Sequence, residues 1–299
     1  MRDYWFTQDL LKAAGFGLLA LAAMGIVLAL WLPRKWWQKV IALAAVLLLI
    51  SIPVRQGVKE VDQEQKAVDD YKERYAKAKA LFDERCKMAG EKIYKTVENV
   101  EGVLLLNVRQ RDPSGDGSDP MWVDAGLPTE LPGDGYIRHF LYDEYDGSPA
   151  NYRRKSGERG YLSVGVAGRA PKLSHGYRFV DVRQSDASTQ RYRLKNSESD
   201  QLVSEAMKKS ARYAVGFENL ISAEDRANWV AGTIITVTDT RTEETLARRE
   251  SYAFEPGLGS RAGARQPWRF AVTCPRHVGW DGARTRFFVD QILKPKQPE

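Results

Sequence analysis

Between Gly17 and Val54 the chain reads GLLALAAMGIVLALWLPRKWWQKVIALAAVLLLISIPV, two apolar runs broken by a short basic knot. From Ala13 to Leu32 about twenty residues carry no charge, the length a helix needs to cross a hydrocarbon core. The second run, Val40 to Val54, is shorter; extension back through Trp36, Trp37 and Gln38 gives it the length, with Lys39 reaching toward the headgroups. Trp31, Trp36 and Trp37 then form an aromatic belt at one interface. The link Pro33 to Lys39 is too short to be a domain, so residues 1–55 are expected to form an antiparallel transmembrane hairpin in a lipid bilayer. Gly25, Ala29, Ala42 and Ala45 are small enough to let its two backbones approach closely.

Charge gives this hairpin a direction. The turn carries Arg34, Lys35 and Lys39 without an acid, whereas the flanks mix Arg2 and Lys12 with Asp3 and Asp9, and Arg55 and Lys59 with Glu60 and Asp62. The positive-inside rule places the turn in the cytoplasm and both termini outside it, in a bacterial cell the periplasm. Two alternatives stand beside this: the opposite orientation, and cleavage of the first run after Ala20-Leu21-Ala22, against which the apolar run continues past that point.

The chain of 299 residues has a formal charge of +6, but its Lys and Arg are interleaved with Asp and Glu rather than gathered in a stripe, which argues against a nucleic-acid partner. Its two cysteines, Cys86 and Cys274, and three histidines are too scattered for a zinc site, and no cofactor motif occurs. In an envelope protein the cysteine pair fits either one structural disulfide or two buried thiols.

Residues 56–98 are dense in charge and helix formers, with Val61, Val68, Tyr71, Tyr75, Ala78, Phe82, Cys86, Ala89, Ile93 and Val97 recurring at steps of three and four. The spacing predicts a long amphipathic helix that packs on the rest of the chain. From residue 99 onward the period changes. VEGVLLLNVR, GYIRHFLYDEY, GYLSVGVAG, GYRFVDVRQ, QRYRLK, RYAVGFENLI and WRFAVTCP read as strands, SESDQLVSEAMKKSA as a helix, and GARTRFFVDQILKP as a closing short helix. Ala231 to Gly257 brackets the polar turn DTRTEET with apolar positions on either side, a β-hairpin by pattern. The fold class is α+β, one soluble domain over 99–299 with an antiparallel sheet.

Candidate chemistry is sparse. DPSGDG, from Asp112 to Gly117, spaces oxygens as a calcium loop does, but the twelfth position, where an EF-hand needs a bidentate acid, is Val123. His277 follows Cys274 by three, and His139 stands near Asp143 and Glu144; neither grouping assembles a nucleophile, a base and an orienting acid. No phosphate loop, serine elbow or zinc-protease helix is present, so an enzyme is not expected. Two clusters remain: Tyr152, Arg153, Arg154, Arg159 and Tyr161, and Arg178, Arg183, Arg191, Tyr192 and Arg193. Arg and Tyr are enriched at protein-interface hot spots, and both clusters fit a protein-binding surface as well as a solvated sheet face.

ERCKMAGEKIYKTVENVEGVLLLNVR, the hairpin ITVTDTRTEETLARRESYAF and the late TCP together resemble a loosely defined group of uncharacterised proteobacterial membrane-anchored envelope proteins. The resemblance covers Glu84 to Arg109 and Thr233 to Pro275. Several such proteins look like immunity or accessory partners of secreted antibacterial toxins of the type VI kind. The resemblance therefore implies an inner-membrane protein whose periplasmic domain binds a toxin; a structural component of an envelope or secretion assembly is the alternative.

Overall fold

The computed structural model describes residues 23–31, 35–110, 122, 125–146, 161–163, 172–174, 176–195, 201–276 and 284–296. They divide into two compact units, 1–73 and 74–299. The first holds helix α1 (23–31) and the opening turns of α2 (Trp36–Cys86). These two helices meet at Gly25, where a Cβ would fall 3.3 Å from Val46 Cγ1, and Ala29 is buried. Gly25 and Ala29 on α1 thus let the helices touch, as read from the sequence, whereas Ala45 on α2 is exposed. Among the described residues no helix is long and apolar enough to cross a membrane. Most of the first expected span, Ala13 to Leu32, lies outside those residues, and the uncharged run of α2 ends at Arg55.

The second unit is built on a mixed sheet of nine strands, ordered β1-β12-β11-β10-β3-β7-β8-β9, with β13 also on β12. The strands are β1 (Gly90–Ile93), β2 (Val97–Val100), β3 (Gly102–Leu105), β4 (Asp143–Asp146), β5 (Tyr161–Ser163), β6 (Lys172–Ser174), β7 (Phe179–Arg183), β8 (Thr189–Leu194), β9 (Leu202–Met207), β10 (Tyr213–Leu220), β11 (Val230–Asp239), β12 (Glu244–Phe254), β13 (Val272–Cys274) and β14 (Leu293–Pro295). Helices α3 (Asp134–Leu141), α4 (Ala223–Ala227) and α5 (Arg284–Ile292) complete it. Strands β2 and β14 pair in parallel, and β4 joins β5 and β6 in a small separate sheet.

Alternation along the strands sorts their side chains between two faces. One face, with Val103, Leu105, Val180, Val182, Val215, Ile235 and Val237, packs on Tyr136, Ile137 and Phe140 of α3 and on Phe288, Val289 and Ile292 of α5 to form the main core. On the other face the last turns of α2 set Ala78, Leu81 and Phe82 against Val230, Tyr252 and Phe254. Arg85 donates from Nε to Asp225 at 3.1 Å and so ties the end of α2 to α4, whose first turn is closed by a reciprocal Ser222–Asp225 capping box.

Several sequence expectations are corrected here. The sheet is not purely antiparallel, since β3 lies parallel to both β10 and β7. The amphipathic helix stops at Cys86 rather than running to residue 98; Gly90 has φ 151 and opens β1, so Ile93 and Val97 belong to strands. Only Tyr75 onward uses its apolar stripe, while Val61, Val68 and Tyr71 stay exposed. GYIRHFL is helix α3, because Tyr136, Ile137, Phe140 and Leu141 share one helical face that the sheet buries. The expected helix over SESDQLVSEAMKKSA is strand β9: six residues pair with β8 from Thr189↔Met207 to Leu194↔Leu202, and that ladder overrides the helical propensity of Glu, Ala and Met.

Candidate functional site

Three features combine chemistry with an unusual placement. The first is the apolar surface of the first unit. Met24, Val27, Leu28, Leu30, Val40, Ile41, Leu47 and Leu48 all point outward, and Trp31 and Trp36 are 85% and 77% exposed. Trp37 and Lys35 are exposed as well and Lys39 is half-buried; Arg34 lies outside the described residues. A patch of this kind far exceeds what a water-facing surface carries by chance.

The second is the Cys86–Cys274 disulfide, formed between residues 188 apart in sequence with Cα atoms 5.7 Å apart. The register explains the meeting. Strands β1 and β13 lie end to end along the same edge of β12, Gly90 opposite Glu250 and Cys274 opposite Tyr252, so the end of α2 arrives beside β13.

The third is the face of β7, β8 and β9 opposite the main core. It carries Phe179, Asp181 and Arg183 from β7, Thr189, Arg191 and Arg193 from β8, and Val203 and Glu205 from β9. Gly102 stands beside Phe179, where a Cβ would fall 2.4 Å from the ring, so only a glycine lets the phenyl group lie across β3. The Arg191 guanidinium then stacks 3.7 Å from the Phe179 centroid and forks onto buried Asp181 at 2.7 and 2.8 Å. That carboxylate also raises the Arg191 pKa, against the desolvation that lowers it. Arg193 pairs with Glu205 at 2.5 Å, both exposed. Arg183 is exposed and makes no ion pair among the described residues, and Lys208 and Lys209 follow Met207 at the same end of the three strands.

The second Arg/Tyr cluster is therefore split. Arg183, Arg191 and Arg193 share this face; Tyr192 alternates to the other side against the main core; Arg178 precedes β7 and pairs with Glu101 at 3.4 Å. Of the first cluster, Tyr161 lies on β5, whereas Tyr152, Arg153, Arg154 and Arg159 lie outside the described residues, as do the Asp112 to Gly117 loop and His277. His139 is not in a strand: it is buried on α3, and burial, with Arg286 and Arg138 nearby, lowers its pKa to about 4. Among the described residues no group of three metal-ligating side chains occurs.

The sequence reading missed a buried polar cluster between the sheet and α5, comprising Arg109, Glu130, Thr233, Arg249, Ser251, Arg284 and Thr285. Its one signal in the sequence was arginine in strand-like runs, Arg109 after LLLNV and Arg249 in the second arm of the hairpin. Glu130, between Pro128 and Pro132, reads as an ordinary loop acid.

No family model, curated protein or solved structure matches this chain.

Proposed function

We propose that the chain is a membrane-tethered binding protein: residues 1–55 anchor it as a two-helix hairpin, and the disulfide-bonded domain recognises another protein outside the cytosol. The observation that carries this reading is the outward-facing apolar surface of α1 and early α2, with tryptophans and lysines where the two helices join. Aliphatic side chains at that density suit lipid, and Trp with Lys suits the headgroup level.

Two independent features support the side of the membrane. Arg34, Lys35 and Lys39 favour a cytoplasmic turn. A disulfide persists in oxidising compartments, which favours a periplasmic domain on the other side.

The binding face is the open side of β7 to β9, where Arg183, Lys208 and Lys209 make a basic end beside the Phe179–Arg191 stack. Its partner presents an acidic surface. A secreted toxin fits that description and would give the immunity role that the sequence resemblance implies.

The test is in-cell crosslinking followed by purification through a C-terminal tag, with the wild type beside an Arg183→Glu/Lys208→Glu variant. One soluble partner in near-equal amount, absent from the variant, supports the reading. A set of envelope components recovered equally from both would replace it with a scaffold.

A further inference from the structure

Glu130 is buried beneath the sheet and α5, and its two carboxyl oxygens are treated differently. Oε2 accepts from the backbone N–H of Thr285 at 3.0 Å and from the Thr285 hydroxyl at 3.1 Å, in the first turn of α5. Among the described residues Oε1 has no hydrogen-bond partner. Buried acceptors without partners are rare, and a charged one is costlier than a neutral one.

The guanidiniums around it are engaged with other groups. Arg109 donates from Nη2 to Thr233 on β11 at 3.3 Å. Arg249, on β12, donates to Ser251 at 3.2 Å and to the Arg284 carbonyl at 3.3 Å, and pairs with Glu91 of β1 at 3.4 Å. Both guanidiniums attract the Glu130 charge, yet neither forms a hydrogen bond or close ion pair with it. Arg284, next to Thr285, is buried in the same cluster.

A neutral carboxyl with its proton on Oε1 fits this arrangement, since no bare negative oxygen is then left in the interior. An ionised one needs a donor brought to Oε1, either the Arg109 Nε, which makes no hydrogen bond among the described residues, or a guanidinium drawn off its acceptor. We propose that Glu130 is a proton-operated switch: neutral, it clasps the first turn of α5 as seen here, and ionised, it draws Arg109 or Arg249 toward Oε1 and rearranges the contact between the sheet and α5. Burial raises the Glu130 pKa to about 7, against the pull of Arg109, the two Thr285 bonds and Arg249. The transition thus falls where an envelope protein meets changes of external pH. The inference stands whether or not the binding face has been placed correctly.

The experiment uses the full chain in detergent micelles, wild type and Glu130→Gln, between pH 5 and pH 8.5. In the wild type, carbon-13 NMR of labelled glutamate side chains should show one carboxyl titrating near neutrality. Amide exchange in the first turn of α5, corrected for its intrinsic pH dependence, should change over the same interval. The wild type should also lose stability relative to Glu130→Gln as pH rises toward 7, by up to tenfold in the unfolding constant per pH unit; taking the difference removes the titration of every other group. A glutamate set that titrates wholly below pH 5 would overturn the proposal. So would a carboxyl that titrates near 7 with no change in α5 exchange. Both readouts come from the wild type, so they decide the matter even if the variant does not fold.

Discussion

The two units of this chain place the same kinds of side chain in opposite positions. Among the described residues of α1 and early α2, Leu, Val, Ile and Trp face outward and the buried one is Ala29. In the sheet domain Leu, Val and Ile are interior, and even arginines such as Arg109 and Arg286 are buried beside them. The difference teaches that burial follows the interior available: two helices alone leave their aliphatic side chains on the surface, whereas the sheet domain has enough interior to bury them together with charged groups.

The strongest way to break this comparison is to put charge on the outward face of the first unit. Leu47→Arg with Leu48→Arg should cost about 5 to 7 kcal/mol of insertion free energy, at about 2.5 to 3.5 kcal/mol per central arginine. Carbonate washing should then release the chain, while the wild type stays with the membrane. Release of both would mean that the outward apolar face meets something other than lipid.

Next in size is the disulfide. Cys86→Ser with Cys274→Ser reopens a closure of 188 residues, for which loop entropy sets a ceiling of about 5 kcal/mol. Denaturant midpoints should fall accordingly, and reductant should bring the wild type down to the variant. An unchanged wild type under reductant would show that the packing of Phe82 and Phe254 holds this corner unaided.

The two ion pairs on the β7 to β9 face sharpen the contrast between buried and exposed charge. Asp181→Asn leaves Arg191 half-buried without its anion and should destabilise by about 3 kcal/mol. Arg193→Ala, which removes an exposed pair with Glu205, should cost less than about 1 kcal/mol. Equal effects in chemical denaturation would mean that the face is covered rather than open.

The pH dependence tests the buried side of the comparison, with two effects that nearly cancel. His139 is held neutral, its folded pKa lowered to about 4 from 6.5. The unfolded chain therefore takes up a proton first as pH falls, and stability is lost from about pH 6.5 down toward 4, by up to about 1.4 kcal/mol per unit. Glu130 acts in the opposite sense: its raised pKa gives stability that is full below its unfolded value of 4.5 and lost as pH rises toward 7. Between pH 5 and 6.5 the two offset each other, so the wild-type profile should be nearly flat there, and His139→Gln should expose a loss of stability with rising pH. A His139→Gln profile as flat as the wild type would show that Glu130 does not titrate in this range.

Much of the sheet was legible in sequence. Strands β7, β8 and β10 and the hairpin of β11 and β12 carry period-two patterns between turn residues, and those patterns survived folding because one face of each strand is buried. Strand β9 was not legible, since an edge strand solvated on both faces has no alternation to read. Helix α3 was missed because its buried residues, Tyr and Phe among them, are also strand formers. Cys86 with Cys274 was one of two readings that the residues allowed. The Glu130 cluster was beyond reach, for it joins loop residues, two strands and the start of a helix, with Glu130 and Thr285 themselves 155 residues apart, and nothing local marks any member as a partner of the others.

Strand β3 has a consequence for how the chain is made. It leaves the ribosome early, but its neighbours in the sheet, β7 and β10, end only at Arg183 and Leu220. Until then the run Gly-Val-Leu-Leu-Leu has no hydrogen-bonded partner on either side. The sheet cannot grow outward from its centre as synthesis proceeds; it closes around a strand that has been waiting, a long-range topology that folds slowly and exposes a sticky segment meanwhile. Truncated or stalled chains should therefore aggregate or be degraded, and holdase chaperones should be found on nascent chains that extend past Leu105 but have not yet reached Leu220.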